Sequence, residues 1–330
     1  MKKWTLVVLC ALYLGASAPA WSGEKKFEIV MVAKHEGISW FDDMRIGLTE
    51  FHEDFKDKGV TAYQIAPEGG DPAKQVQMVE DLIAKQVDAI LVVPNDPTAL
   101  IPVIERARKQ GIIVVSHEAS SLAGVADWDM EAFVNEDFGR AIFETVAAGM
   151  NYEGDYAGFV GALTMETHMQ WYNAGKAMID EKYPKMRMVT EQPLEDWNTE
   201  KIALDKTNEL LATYPTIKGL FGCSASSSAM ISLACERRRR ADIACSGIGT
   251  PSQNGAYLES GYSRAVYAWR PADAGYVCAL IAYKMLMGEE IKDGVNLAKT
   301  GYESIRIQDG IIYGDAMLTL TKDNYMDYDY

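Results

Sequence analysis

Cysteine and histidine are scarce in this sequence, with five and four residues in a chain of 330. Five cysteines cannot staple a chain of this length, so a disulfide scaffold is excluded, and their spacings fit no zinc pattern. Cys223 and Cys245 fall in strand-like runs and Cys235 and Cys278 in helix-like ones. That placement points to buried free thiols, with a single bridge left open. Positive charge is short too. The chain has 32 Lys and Arg against 47 Asp and Glu, and the net charge of −15 argues against a nucleic acid or an anionic membrane as partner. Beyond the N-terminus no apolar stretch approaches the roughly 18 residues of a membrane-spanning helix. Missing motifs exclude further chemistry. The chain has no Gly-x-Gly-x-x-Gly for a dinucleotide, no Gly-rich loop ending in Lys and Ser or Thr for a triphosphate, and no Gly-x-Ser-x-Gly nucleophile elbow. It also lacks an internal repeat, a low-complexity linker and an N-terminal DNA-binding segment.

What is present begins with a processing segment. Lys2 and Lys3 precede an apolar run from Trp4 to Leu14, and small residues follow through Ser22. This is the pattern of a secretory signal peptide over residues 1–22, cut after Ala20 or Ser22, and it predicts export. Next comes the stretch that organises the chain, Phe27 to Gly47. Phe27–Ala33 is an apolar, β-branched run suited to a strand buried on both faces. A polar loop follows, and then Phe41, Met44 and Leu48 at helical spacing. The loop therefore lies at the carboxyl end of a strand, where open α/β sheets bind ligands. It offers Lys34, His35, Glu36, Trp40 and Phe41. Charged and hydrogen-bonding groups beside aromatic faces suit a small polyhydroxylated molecule. Trp40 and Phe41 can also be read as the start of the helix's core face, Phe41 more so than Trp40.

The same strand–loop–helix alternation continues to the C-terminus. Asp71-Pro72 has the signature of a helix start, with Asp as N-cap and Pro at the first helical position. Ala89–Val93, Ile112–Val115, Ala157–Val160, Met186–Glu191, Leu220–Cys223, Ile243–Cys245 and Arg264–Ala268 read as further strands. The fold class is α/β. The number of units predicts two doubly wound parallel-sheet lobes rather than one sheet. Polar and aromatic residues recur at the strand ends: Asn95 and Asp96, His117 and Glu118, Asn135 and Glu136, then Thr167, His168, Gln170 and Ser224. Two facing lobes would gather them in one cleft. No pair of these has the tight spacing of a metal site, so no metal and no cofactor is expected. Ser224–Ser228 also suits a helix N-cap, Arg237–Arg240 a solvated helix end, and Trp197 either a cleft aromatic or a hydrophobic staple.

Several stretches together carry a family resemblance: Ser39-Trp40-Phe41 with Gly47, Asp88–Val93, Gln170-Trp171, Gly247-Ile248-Gly249-Thr250-Pro251, Trp269-Arg270-Pro271 and the Tyr328-Asp329-Tyr330 ending. In that order, behind a signal peptide, the chain resembles the type I periplasmic solute-binding proteins of sugar ABC transporters, and most of all the group of autoinducer-2-binding and rhamnose-binding proteins. The resemblance implies a three-strand hinge, with crossings near Val134, Ala268 and Gly301. Lobe one would be 24–134 plus 269–300, and lobe two 135–268 plus 301–330. Lys34 matches the lysine of the autoinducer-2 binders. Trp40 and Phe41 match the aromatic pair of ribose-type relatives, Asp96 their first-lobe carboxylate and Trp197 their second-lobe aromatic. Trp269 lies at a crossing. The departures are Glu118 for an aspartate, Thr167 and His168 for adjacent aspartate and glutamine, and Cys223 for a proline, whereas Ala225 stands at their alanine position. They point away from autoinducer-2 and toward another sugar, deoxysugar or sugar alcohol. The expected protein is a monomeric periplasmic receptor and no enzyme, delivering its ligand to an inner-membrane ABC permease. A signalling receptor facing a membrane sensor, and a secreted enzyme using the cleft histidines and carboxylates, stay open as alternatives.

Overall fold

The computed structural model describes residues 26–330, so the segment read as a signal peptide lies outside the described residues. The elements run β1 (Phe27–Val32), α1 (Ser39–Phe55), β2 (Val60–Ile65), α2 (Pro72–Lys85), β3 (Ala89–Val92), α3 (Pro97–Lys109), β4 (Ile113–His117) and β5 (Trp128–Glu131). A second series follows: α4 (Asn135–Gly149), β6 (Gly154–Val160), α5 (Glu166–Lys182), β7 (Met186–Met188), β8 (Leu194–Glu195), α6 (Glu200–Thr213), β9 (Gly219–Gly222) and α7 (Ser227–Arg237). The chain ends with β10 (Ala244–Ile248), α8 (Pro251–Ser260), β11 (Ala265–Ala268), α9 (Pro271–Leu286), β12 (Arg306–Gln308), β13 (Ile311–Tyr313) and β14 (Leu318–Leu320).

Two sheets result, in the strand orders β12-β13-β5-β4-β3-β1-β2 and β14-β11-β10-β9-β6-β7, with β8 on β6. All pairings are parallel except β12 with β13 and β14 with β11, each at a sheet edge. The period-2 alternation of β1 explains its double burial. Ile29 and Met31 join Met44, Leu48 and Val277 of α1 and α9, whereas Val30 and Val32 join Val79, Ile83 and Val103 of α2 and α3. The second sheet repeats the scheme. Tyr156 and Val160 face α4 and α5, whereas Ala157 and Phe159 face α6 and α7. Among the described residues no helix is long and apolar enough to cross a membrane, and all four cysteines are buried and free.

The chain crosses between lobes after β5, after β11 and between β13 and β14. The resemblance implied crossings near Val134, Ala268 and Gly301. The third lies at 314–317 rather than near Gly301, because β12 and β13 belong to the first sheet. The reason is a parallel pairing of β13 with β5, the last parallel strand of lobe one, at Ile311 with Asp129 through Tyr313 with Glu131. The first and third crossings then run together, with Gly314 N donating to Glu131 O at 2.9 Å and Ala316 N to Ala132 O at 3.0 Å.

Two consequences are measurable. Gly47 brings α1 against α9 so closely that a Cβ there would run into the carbonyl of Ala272. Gly47→Ala should therefore lower unfolding stability by about 1–3 kcal/mol in denaturant titration. Asp129 and Glu131 are buried beside the first crossing, with Ser116 Oγ donating to Asp129 Oδ1 at 2.6 Å. Burial raises the Asp129 carboxyl to about 7. Burial, then the charge of Asp129, pushes Glu131 well above the usual carboxylate range. A raised carboxyl pKa favours folding while the group is protonated, and that contribution is lost as pH rises from the ordinary value through the folded one. Asp129→Asn should therefore gain on the parent chain, by about 1 kcal/mol or more between pH 5 and pH 8. A stability difference that stays flat with pH would show that Asp129 is ionised throughout.

Candidate functional site

The carboxyl ends of β1, β3 and β4 face those of β6, β9 and β10 across a cleft. Lys34, just after β1, is 2 % exposed and forms an ion pair with Glu118, just after β4 and 4 % exposed. Water is nearly excluded, so each charge depends on the other. Glu118 has a left-handed backbone, φ 58°, which is uncommon for a residue with a Cβ and marks a position held by its surroundings. That conformation turns its carbonyl toward the second lobe, where Thr167 Oγ1 donates to it at 2.6 Å. Further bonds close the rim: Glu166 at the start of α5 accepts from Ser120 Oγ and Ser121 N at 2.9 Å each, and Gln170 Nε2 donates to Ser120 Oγ at 2.6 Å.

Inside lies a cavity of about 20 Å³. Lys34, Ile38, Trp40, Phe41 and Glu118 line it from the first lobe, and His168, Trp171, Asn198, Ala225 and Ile248 from the second. Space of that size holds about one water molecule. Anything larger than water therefore enters only when the lobes part.

Two imidazoles flank the ion pair. His168 Nδ1 accepts from Gly161 N at 3.0 Å, so the ring proton sits on Nε2. Burial, and then the Lys34 charge, hold its pKa well below the usual value, and the ring is a neutral donor at neutral pH. His117 is the opposite tautomer. Its Nδ1 donates to Met130 O at 2.6 Å, leaving Nε2 a buried acceptor without a partner. Burial lowers its pKa as well, with Lys34 adding to the effect while Glu118 and the Met130 carbonyl oppose it.

Behind these rings the second crossing places Trp269, 1 % exposed, at the centre of an aromatic cluster. Its ring meets Trp40 at 4.6 Å, Phe133 at 5.1 Å, Trp171 at 5.9 Å and His117 at 6.1 Å, all edge-on. Its Nε1 is buried without a partner. Among the described residues no three His, Cys, Asp or Glu side chains converge as a metal site requires.

Of the residues singled out in the sequence, Lys34, Trp40, Phe41, Glu118 and His168 meet at the cavity, and His117, Thr167, Gln170 and Trp269 surround it. The others have different work. Asp96 caps α3 through bonds from Thr98 N and Ala99 N. Asn95 donates to Lys34 O, and Asn135 accepts from Trp171 Nε1. His35 turns to Glu36 O, and Ser224 Oγ donates to the buried Asp196. Trp197 is 46 % exposed at the rim, because left-handed backbone at Trp197 and Asn198 (φ 55° and 51°) turns the indole out and Asn198 in. Ile38, Trp171, Asn198 and Ile248 were not among the expected site residues, whereas the sequence marks Ala225 only by its place at an alanine position of the autoinducer-2 binders. Trp171 and Ile248 lie inside stretches that carried the resemblance, whereas Asn198 had only its place beside Trp197.

Two doubly wound lobes closing on a cleft of aromatic and hydrogen-bonding groups define a hinged binding protein. The chain belongs to the family described as periplasmic binding protein domain, whose profile matches residues 29–290. It is 25 % identical over 257 residues to the D-allose-binding periplasmic protein of Escherichia coli, covering 75 % of this chain and 81 % of that protein. It is also 28 % identical over 111 residues to the D-ribose/D-allose-binding protein of Pseudomonas aeruginosa, covering 34 % of this chain and only 35 % of that relative. LsrB from Clostridium saccharobutylicum in complex with AI-2 superposes with a TM-score of 0.83 at 16 % identity, over 92 % of this chain and 100 % of that one. A solute-binding protein from Clostridium phytofermentas with bound L-rhamnose gives 0.82 at 18 %, over 92 % and 98 %. At these identities the superpositions establish the fold, which is the type I two-lobe arrangement.

The ion pair sets a direct test. Glu118→Gln strands the Lys34 ammonium in a dry site and should cost about 3–5 kcal/mol of stability. Lys34→Met combined with Glu118→Leu removes both charges and should cost clearly less. Equal losses in the two proteins would mean that the pair is not buried as a pair.

Proposed function

We propose that this protein is an extracytoplasmic receptor that captures a small neutral sugar, deoxysugar or sugar alcohol and hands it to an ABC permease. The single observation that carries this reading is the composition of the cavity wall. One ion pair of zero net charge and one neutral imidazole donor stand among Ile38, Trp40, Phe41, Trp171 and Ile248. A charged ligand would unbalance the pair. A neutral ring with hydroxyls on its edge and an apolar face matches both parts of the wall. The apolar share favours a deoxysugar over its fully hydroxylated counterpart. Relatives named for D-allose, D-xylose and D-ribose, and similar structures titled with L-rhamnose and D-arabinose, support the ligand class.

In this reading Trp40 and Phe41 pack on the ring, while Lys34, Glu118 and His168 bond to its hydroxyls and Asn198 joins from the second lobe. Trp197, with its indole at the rim, meets the ligand on entry. The mechanism is hinge closure: a ligand that touches both lobes selects the closed form, and the closed lobes together form the surface a permease reads. The family and the N-terminal signal pattern support a periplasmic location, and the chain acts as a monomer that binds without turnover.

The test is thermal melting against pentoses, hexoses, deoxysugars, polyols and autoinducer-2. A ligand at about 100 times its Kd stabilises by roughly 2.7 kcal/mol, which moves Tm by several degrees. One sugar or polyol should do so, and Trp40→Ala should weaken its Kd at least about tenfold by calorimetry. A panel with no hit, or stoichiometric binding of an anion in its place, would sink the reading.

A further inference from the structure

Two features of the sequence have no part in the cleft: the cysteines of the second lobe and the arginine run Arg237–Arg240. The structure brings them together at one turn. Cys235 lies in the last turn of α7 and Cys245 in β10, ten positions further on, and their sulfurs are 3.7 Å apart. Both are buried in the hydrophobic cluster of Phe159, Leu211 and Ile231. Cys223 and Cys278 belong to a different cluster.

The turn between the two thiols is pinned. Arg240 N donates to Cys235 O and Arg239 N to Glu236 O, both at 2.9 Å, with Arg239 in left-handed backbone at φ 57°. This is a Schellman ending, and it closes the helix at the residue that carries the thiol. The Arg240 guanidinium then donates to Asp242 at 2.8 Å, to Pro215 O at 2.9 Å and to Ile217 O at 3.2 Å. The end of α7, the approach to β9 and the approach to β10 are thereby held to one another. A solvated helix end describes Arg237 and Arg239, which are exposed, and leaves out Arg240. A disulfide sets its sulfurs about 2.0 Å apart, so these two need to approach by roughly 1.7 Å. That gap is shorter than the sweep of one sulfur about its own Cα–Cβ bond between staggered positions.

We propose that Cys235 and Cys245 are a disulfide pair, which in an oxidising compartment forms a structural bridge between α7 and β10. The proposal rests on the extracytoplasmic location only for the source of its oxidant. The step is thiol–disulfide exchange with an external disulfide. The thiolate of one cysteine attacks that disulfide, giving a mixed disulfide and releasing one thiol. The thiolate of the other cysteine attacks the protein sulfur of the mixed disulfide, forms the bridge and releases the second thiol. Two cysteine thiols are oxidised, one external disulfide is reduced, and the two protons end on the released thiols. In the folded chain the reaction is shut off, because the Cys235 contact, and then burial, push the Cys245 thiol well above its usual range. The bridge therefore forms while the chain folds, and burial afterwards shields it from reductants.

The test is refolding of the chain, freed of its signal segment, from denaturant in a buffer of glutathione and glutathione disulfide, and in parallel with excess reductant. Alkylation in denaturant should count two thiols in the first product and four in the second. Trypsin cuts within Arg237–Arg240, so the bridge should appear as two cross-linked peptides that a reductant separates. Cys235→Ala and Cys245→Ala should each abolish the cross-link, and Cys223→Ala should leave it. Should a variant not fold, the cross-linked peptides are still read from the parent chain. The bridged form should melt about 5 °C above the dithiol form. Four thiols after oxidative refolding, a cross-link through Cys223 or Cys278, or equal melting of the two forms overturns the proposal. The experiment supplies its own oxidant, so a wrong location and a wrong bridge are separate results.

Discussion

The Lys34–Glu118 ion pair is the constraint around which the cleft is built. Neither charge has water to fall back on, so the strand ends that carry them are fixed relative to one another across the intervening β3. Asn95, after β3, holds the Lys34 carbonyl and keeps the ammonium aimed across. Glu118 is bent into left-handed backbone to reach it, and the same bend presents its carbonyl to Thr167. One residue thus joins the electrostatics of the first lobe to the closing surface of the second. The nearby Lys34 charge, with burial, also keeps His168 neutral and fixes what that ring can offer a ligand.

Behind the pair, the hinge is unusually apolar at one level and acidic at the next. A single hydrophobic cluster runs from α1 and α9 through Phe133 and Trp269 to α4 and α5, so the two lobes share a core at the crossings. Beside it lie the buried carboxyls of β5, whose pKa values burial raises, and the bonded first and third crossings. A shared core resists sliding and permits bending, because edge-on aromatic contacts tolerate small rotations better than interlocked aliphatic ones.

Much of this was legible in the sequence, and the misses have physical causes. Buried parallel strands read as continuous apolar runs, so both lobes stood out, and Lys34, Trp40, Phe41, Glu118 and His168, which follow such runs, line one cavity. The third crossing was placed too early because β12 and β13 are three residues each and one parallel pairing, of β13 with β5, decides their sheet. Asp96-Pro97 has the same helix-start signature as Asp71-Pro72, and both aspartates cap their helices. At Asp96 the match to a ligand carboxylate of the relatives competes with that signature. At Trp197 no periodicity applies. Two consecutive left-handed residues reverse which neighbour points inward, and neither Trp nor Asn announces that conformation in a single sequence.

The arrangement of indoles has an optical consequence. Trp40 belongs to the first lobe, Trp171 to the second and Trp269 to a crossing, with ring centroids 4.6 Å and 5.9 Å from the central one. At such separations the three chromophores exchange excitation and behave as one emitter, and parting the lobes splits that emitter and wets its members. The protein therefore carries its own unlabelled fluorescence gauge of opening and closing, placed by the same packing that makes the hinge.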